Sequence, residues 1–243
     1  MKYIYSRDYT ITYSYVDRTG RLGILEFLNI NQDMITSFCG YIGSDNPTIK
    51  AKNNAAWLYT RIKVKVNELP FWNTKTKAVA FVTSKSPIRM TVETNLYNEN
   101  DELLVVAKTE MCVIDLELRK IRKIDSVEFP SDLEVMDSNF AEGFSKMNDE
   151  FSSQDLIYSQ KVFASDTDFT HHTNNVRYVK FIMNTFEESF YDEKKVKGFE
   201  IQYAKETRVN DSLDVLRKET SDTEYSFLIK TGDETAVKAK LWY

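Results

Sequence analysis

Three side chains that can handle protons or bind water occur at every second position of one short stretch. They are Asp168, Thr170 and His172, and two asparagines, Asn174 and Asn175, follow them. If the stretch is extended, the three side chains leave the backbone on the same face, because successive residues of a strand point to opposite sides. A carboxylate, a hydroxyl and an imidazole on one face can orient water and transfer its proton. This stretch is therefore the first candidate for chemistry.

An apolar segment with helical spacing follows the polar stretch. Its apolar positions alternate with polar ones and comprise Val176, Val179, Ile182, Met183, Phe186 and Phe190. Either Asn174 or Asn175 can cap such a helix. The N-terminus of a helix offers free backbone N–H groups and a partial positive charge, which can hold an oxyanion or polarise a carbonyl. The pattern favours acyl chemistry at this end, and His171, on the opposite face of an extended stretch, is expected to take no part.

The composition indicates an ordinary globular chain. Its 243 residues, 42% apolar and 13% aromatic, suffice for the core of one large domain or two small ones. The seven glycines leave no room for a glycine-rich phosphate loop, and the net charge of −5 argues against general nucleic-acid binding. Cys39 and Cys112 lie in apolar contexts without metal-ligand spacing, so we expect reduced core residues and no metal. With neither a signal-peptide pattern nor a membrane span, the chain is expected to be cytoplasmic.

The order of predicted elements is the same in the two halves of the chain. The first half predicts a strand, a helix and four strands, at residues 3–15, 24–42, 57–66, 77–83, 88–97 and 103–114. The second half predicts a strand at 157–164, the helix from Asn174, and strands at 197–205, 212–219, 224–231 and 236–243. The acidic segment between them predicts a linker, with at most a short helix.

A long apolar helix needs a curved antiparallel sheet wrapped around it. We therefore predict an α+β protein of two tandem hotdog domains, residues 1–130 and 151–243, joined by a linker of residues 131–150. Placing Asp17 on Asp168 aligns Thr19 with Thr170 and Arg21 with His172. The first half thus keeps the frame of the polar stretch but lacks its histidine, so the chemistry is assigned to the second half.

The stretch DTDFTHHTNNVRY resembles the signature of hotdog thioesterases. Together with the length and the duplication, it resembles the acyl–acyl carrier protein thioesterases of fatty-acid biosynthesis. The family pattern has asparagine where this chain has Thr170. A second family signature, a tyrosine followed by a glutamate and often a cysteine, is similar to Tyr203, Glu206 and Thr207, so no cysteine nucleophile is available there.

The resemblance implies a thioester hydrolase whose catalytic residues are Asp168, Thr170, His172 and Glu206. Glu206 would act as base or position water, and His172 would orient water or protonate the leaving sulfur. Asp168 would either attack the thioester through a mixed anhydride or fix the histidine tautomer, and the sequence leaves both open. Backbone N–H groups at residues 174–176 would polarise the thioester oxygen.

The predicted function is hydrolysis of acyl–acyl carrier protein to a free fatty acid and the carrier protein, without cofactor or metal. A hotdog acyl-CoA thioesterase and a non-catalytic acyl-binding hotdog protein are the alternatives. The predicted partner is the acidic, acylated carrier protein, with no nucleic acid and no membrane span. A candidate docking surface for the carrier protein is a run of basic residues, Arg119, Lys120, Arg122 and Lys123. The oligomeric state, a homodimer included, is left open.

Overall fold

The computed structural model describes residues 1–147 and 150–243. It divides into two compact units, residues 1–143 and 144–243. Each unit contains an antiparallel sheet and the helices that pack on it. In the described part of the chain, no helix combines the length and apolar character needed to cross a membrane.

The first unit has six strands and two α-helices. Their bounds are β1 Ile4–Thr10, α1 Ile24–Tyr41, α2 Asn46–Asn53, β2 Ala55–Val66, β3 Lys75–Lys85, β4 Met90–Asn98, β5 Leu103–Asp115 and β6 Ile121–Arg122. The strand order is β1-β3-β4-β5-β2, with β6 on β5. The predicted helix and four of the five predicted strands of this half are confirmed, with ends shifted by one or two residues.

Helix α1 forms the core of the first unit. It lies against β1, β3 and β4, and its inner face is fully buried at Phe27, Leu28, Ile30, Met34, Ile35 and Phe38. Asn31 is also completely buried, and it donates a hydrogen bond to Thr109 Oγ1 at 3.1 Å. The helical period of the apolar residues was therefore a sufficient signal for this element.

Two elements of the first unit differ from the prediction. The opening strand ends at Thr10, because its partner β3 begins opposite, at Lys75, and the chain continues as a 3₁₀ turn over Tyr13–Tyr15. The loop predicted after α1 instead contains helix α2. Pro47 lies in the first turn of α2, where a missing N–H costs nothing, and Asp45 caps the helix by accepting from the Thr48 N–H at 2.9 Å.

The described residues of the second unit form five strands and two α-helices. Their bounds are β7 Leu156–Lys161, α3 Asn175–Met183, α4 Glu188–Glu193, β8 Gly198–Tyr203, β9 Ser212–Ser221, β10 Glu224–Thr231 and β11 Glu234–Trp242. The strand order is β8-β11-β10-β9-β7. All five predicted strands are present, and β10 has the predicted ends.

The prediction of one helix through Phe190 is wrong, because α3 ends at Met183. The Thr185 hydroxyl donates to the carbonyl oxygen of Ile182 at 2.7 Å and so takes an acceptor at the end of the helix. Phe186 and Phe190 stack with ring centroids 3.8 Å apart, and both pack edge-on against Tyr225. The helical spacing of these two residues therefore arises from their packing in one aromatic cluster on the sheet. It does not indicate a continuous helix.

The connecting segment is held by buried carboxylates. In the first unit, Glu93 accepts from the Asn139 N–H at 3.1 Å and from Ser138 Oγ at 2.7 Å. In the second unit, Glu200 accepts from the N–H and the hydroxyl of Ser145 at 2.7 and 2.8 Å. Both glutamates are fully buried. Residues 131–147 form neither helix nor strand, and positions 148 and 149 of the predicted linker lie outside the described residues. The predicted domain boundaries stay a prediction.

Candidate active site

The loop that carries Asp168, Thr170 and His172 is a tight turn. The Asp168 N–H donates to the His172 carbonyl oxygen at 3.0 Å, and the His171 N–H donates to the Asp168 carbonyl oxygen at 3.0 Å. His171 takes a left-handed backbone conformation with φ of 64°. The expectation of an extended stretch is therefore wrong. The turn is stabilised by the short aspartate side chain, whose Oδ1 accepts from the Thr170 N–H at 2.8 Å.

The same turn connects the three side chains in a hydrogen-bonded row. Thr170 Oγ1 lies 2.5 Å from Asp168 Oδ1 and 3.2 Å from His172 Nδ1. An ionised carboxylate only accepts, so the single hydroxyl hydrogen of Thr170 points to Asp168. The threonine oxygen is then left as the acceptor for His172 Nδ1–H. The row therefore favours the Nδ1–H tautomer and leaves the lone pair of Nε2 for chemistry.

Two side chains of opposite charge meet at Nε2 of His172. Glu206 Oε2 lies 3.2 Å and Arg208 Nη2 3.1 Å from this atom. The arginine can only donate and the carboxylate only accepts. Arg208 can therefore donate to Nε2 when this nitrogen carries no proton. Glu206 can accept from Nε2 when it is protonated. The side chains of His172 and Glu206 are 18% and 30% exposed, so solvent and substrate can reach the pair.

The N-terminus of α3 offers fewer free N–H groups than expected. Asn174 is the cap, and its side chain accepts from the Val176 N–H at 2.9 Å. The Asn174 N–H itself donates to the Asp166 carbonyl oxygen at 2.9 Å. The Asn175 N–H is left without an acceptor in the described part of the chain. Of the three groups expected to polarise a carbonyl, only that of Asn175 remains a candidate.

The structure adds residues to the candidate site. Arg208 was missed because an exposed arginine at the end of a strand region has no recognisable spacing. Thr173, next to His172, and Thr207, next to Glu206, are buried and share a hydrogen bond of 2.7 Å between their hydroxyls. Thr207 was noticed only as a departure from the family cysteine, and the contact of these two residues has no local sequence signal.

The first unit repeats the loop without the histidine. Thr19 donates to Asp17 Oδ1 from its N–H at 2.8 Å and from its hydroxyl at 2.6 Å, and the Asp17 N–H donates to the Arg21 carbonyl oxygen at 2.8 Å. Gly20 has the left-handed conformation that His171 has in the second loop. The predicted alignment of the two loops is confirmed, and Arg21 replaces the imidazole.

Both halves of the chain match one protein family. Residues 2–128 match the family model of the acyl-ACP thioesterase N-terminal domain, and residues 149–243 match that of the acyl-ACP thioesterase C-terminal domain. The chain belongs to the acyl-ACP thioesterase family. The family suggested by the two signatures is thereby confirmed.

Individual relatives of this acyl-ACP thioesterase family member are distant in sequence. The chloroplastic acyl-[acyl-carrier-protein] hydrolase FATB3 of Cuphea viscosissima is 22% identical in an alignment 203 residues long, which covers 79% of this chain and 49% of that protein. The chain thus spans about half the length of this curated relative.

Solved structures share the fold, among them two thioesterases. An acyl-ACP thioesterase from Bacteroides thetaiotaomicron superposes with a TM-score of 0.90 at 20% identity, covering 98% of this chain and 97% of that one. The 12:0-ACP thioesterase from Umbellularia californica gives 0.82 at 17% identity, covering 98% and 96%. The predicted α+β fold with two tandem hotdogs is confirmed.

The cysteines of this family member are core residues, as predicted. Cys39 and Cys112 are free and buried. Burial raises the pKa of the Cys39 thiol to about 12, so the thiolate is not populated at neutral pH. Both cysteines belong to the first unit and the candidate residues to the second.

Proposed function

We propose that the chain hydrolyses acyl–acyl carrier protein thioesters to a free fatty acid and the carrier protein. The observation that carries this proposal is the contact between His172 Nε2 and Glu206 Oε2 at 3.2 Å, beside the row from His172 through Thr170 to Asp168. Family membership and the names of the relatives support the choice of substrate. Asp168, Thr170, His172 and Glu206 are the proposed site residues.

The proposed reaction uses water as the nucleophile. Nε2 of His172 accepts a proton from a water that Glu206 also holds, and the water oxygen attacks the thioester carbonyl carbon. Arg208 lies at the same nitrogen, so the entering water takes its place there. The carbonyl oxygen gains charge and accepts from the Asn175 N–H. When the carbon–sulfur bond breaks, Nε2–H returns the proton to the leaving sulfur, and the fatty acid departs.

Asp168 is proposed to orient the histidine and not to attack the thioester. Its Oδ1 already accepts from both the N–H and the hydroxyl of Thr170, at 2.8 and 2.5 Å. If Asp168 formed a mixed anhydride, it would lose these hydrogen bonds. The turn and the preference of His172 for the Nδ1–H tautomer would then be lost together. Thr170 transmits the orientation, because its oxygen accepts from Nδ1.

Charge favours the carrier protein as partner over a nucleic acid, and cytoplasmic fatty-acid biosynthesis is the proposed setting. The basic run is only partly available for docking. Arg122 Nη1 donates to the Asn53 carbonyl oxygen at 2.7 Å, and its Nε donates to Ser126 Oγ at 3.2 Å. Arg119, Lys120 and Lys123 are exposed. The proposed docking residues are therefore Lys120 and Lys123, next to the exposed Arg119.

Fatty-acid release from a matched panel of carrier-protein and CoA thioesters tests the proposal. We expect the highest kcat/KM on carrier-protein substrates. A preference for CoA thioesters would support the acyl-CoA thioesterase alternative. Tight acyl binding without release from either class would contradict hydrolysis and favour a non-catalytic acyl-binding protein.

A further inference from the structure

Three hydroxyl side chains form a buried cluster beside the proposed catalytic pair. They belong to Thr173, Tyr178 and Thr207, which are 5%, 2% and 0% exposed. Thr207 Oγ1 lies 2.7 Å from Thr173 Oγ1 and 2.7 Å from Tyr178 Oη. The Thr207 N–H donates to Tyr178 Oη at 3.1 Å. The cluster therefore joins the loop before α3, the helix itself and the segment after β8.

Every hydrogen of the cluster has an acceptor. One consistent arrangement runs from Tyr178 Oη–H to Thr207 Oγ1, from Thr207 Oγ1–H to Thr173 Oγ1, and from Thr173 Oγ1–H to the Thr207 carbonyl oxygen at 3.2 Å. Burial raises the pKa of the Tyr178 phenol, so it remains protonated and able to donate at neutral pH. A fully satisfied buried network is rigid, because losing one member leaves the others unpaired in a dry environment.

The cluster is covalently adjacent to both members of the pair. Thr173 follows His172, and Thr207 follows Glu206. The Thr173 N–H also donates to the Thr207 carbonyl oxygen at 2.8 Å, so one backbone bond and one hydroxyl contact tie the two segments. Any slip of one segment along the other would change the distance of 3.2 Å between Nε2 and Oε2.

The first unit provides an internal comparison. There the Leu22 N–H donates to the Pro70 carbonyl oxygen at 2.8 Å, which is the same backbone bond. Leu22 takes the place of Thr173, Pro70 that of Thr207, and the buried Phe27 that of Tyr178. The loop without a histidine therefore forms with three apolar side chains. Hydroxyl groups are not required for this turn to fold.

We propose that Thr173, Tyr178 and Thr207 are positioning residues that fix His172 against Glu206. The inference rests on the proposed function, since it gives the cluster a role in that reaction. Contact with substrate is not required, because the hydroxyls are buried and act through the adjacent residues. A displacement of about 1 Å in such a pair can lower a rate by about 100-fold.

Thr207→Val and Tyr178→Phe each remove one hydroxyl with little change of shape. We expect kcat on an acyl–acyl carrier protein to fall by about 10- to 100-fold with KM changed less than about threefold. Thr207→Ser keeps the hydroxyl and should recover most of the lost turnover. Thr185→Val is the matched control, because Thr185 is a buried threonine that bonds the Ile182 carbonyl oxygen. It should lower Tm comparably and leave kcat unchanged.

A double-mutant cycle separates positioning from simple destabilisation. In the Glu206→Gln background, Thr207→Val should lower the residual kcat by less than about threefold, because the pair it positions is already broken. An equal loss in both backgrounds, or a Thr185→Val loss as large as that of Thr207→Val, would overturn the proposal.

NMR of the histidine side chains tests the positioning role without relying on the proposed reaction. The chain has two histidines, and the exposed His171 serves as internal reference. We expect the ¹⁵N shifts of His172 to report mainly the Nδ1–H tautomer in the parent and averaged tautomers in Thr207→Val. Unchanged shifts in that variant would overturn positioning. A parent protein with the expected shifts but no hydrolysis would instead contradict the proposed function alone.

Discussion

Arg21 in the first unit occupies the position in its loop that His172 occupies in the second. The carbonyl oxygen of each accepts from the N–H of the aspartate at the start of the turn, at 2.8 Å for Asp17 and 3.0 Å for Asp168. An arginine stays protonated at all accessible pH values and cannot accept a proton from water. Arg21 instead donates to the Leu69 carbonyl oxygen at 2.8 Å. The duplicated scaffold therefore has one loop suited to base catalysis and one suited to structure.

Substitutions of Thr170 test whether its hydroxyl performs the role of the asparagine that the family has at this position. Thr170→Val keeps the shape and removes the bridge between Asp168 and His172 Nδ1, so kcat should fall by about tenfold or more. Thr170→Asn restores a group that can both donate and accept, and it should preserve or raise kcat. Turnover on one saturating carrier-protein substrate measures both. A valine variant as active as the parent would show that Thr170 only packs.

Substitutions of Arg208 test whether its guanidinium, by donating to the lone pair of His172 Nε2, stabilises the Nδ1–H tautomer. Arg208→Met removes the guanidinium that lies 3.1 Å from Nε2 but retains an apolar stem. The Nε2–H tautomer can then donate to Glu206 unopposed, so we expect tautomer mixing in the imidazole NMR spectrum and a kcat lower by about 3- to 10-fold. Arg208→Lys should lie between parent and methionine variant. A pure Nδ1–H tautomer in Arg208→Met would contradict this role.

Periodicity predicted the elements whose partners lie along their whole length. Helix α1 has a buried inner face along its length, and strand β10 pairs with β9 and β11 along nearly all its residues, so predicted and observed ends agree to within one residue. The end of α3 could not be predicted, because Phe186 and Phe190 fit a helical period while packing as an aromatic cluster on Tyr225. The first strand could not be bounded either, since its end depends on where β3 begins.

In the candidate site too, residues that are close in sequence could be predicted, and contacts between distant residues could not. Asp168, Thr170 and His172 were found by their spacing, although the turn that joins them was expected to be extended. Arg208 was not found, because its contact with His172 spans 36 positions of the chain. Residues that act through such long-range contacts carry no local periodicity.

Glu93 tests how strongly a buried carboxylate holds the connecting segment in the first unit. Glu93→Gln replaces one accepting oxygen by an NH₂ group that faces the donors of Ser138 and Asn139. We expect the free energy of unfolding to fall by about 1.5–3 kcal/mol, the range for hydrogen bonds to charged groups. Urea unfolding measures this change. Glu134→Gln, at an exposed position, is the control and should change stability by less than about 0.5 kcal/mol.

Lys120 and Lys123 test the docking of the carrier protein. Because both are exposed, reversing them to glutamate avoids the structural contacts of Arg122. The double variant should have a higher KM for carrier-protein substrates, more so at low salt, with little effect on small thioesters. Steady-state kinetics at two salt concentrations provide the measurement. Equal effects on both substrate types would indicate a folding defect instead of lost docking.

We propose that His172 and Glu206 handle the proton in thioester hydrolysis. The direct measurement is single-turnover release of fatty acid from an acyl–acyl carrier protein by the parent, His172→Ala, Glu206→Gln and the first-unit control Arg21→Ala. We predict that the first two variants are slower by about 100-fold or more with an intact fold, and that Arg21→Ala stays within about twofold of the parent. A His172→Ala or Glu206→Gln variant that releases fatty acid at nearly the parent rate would contradict the claim for that residue.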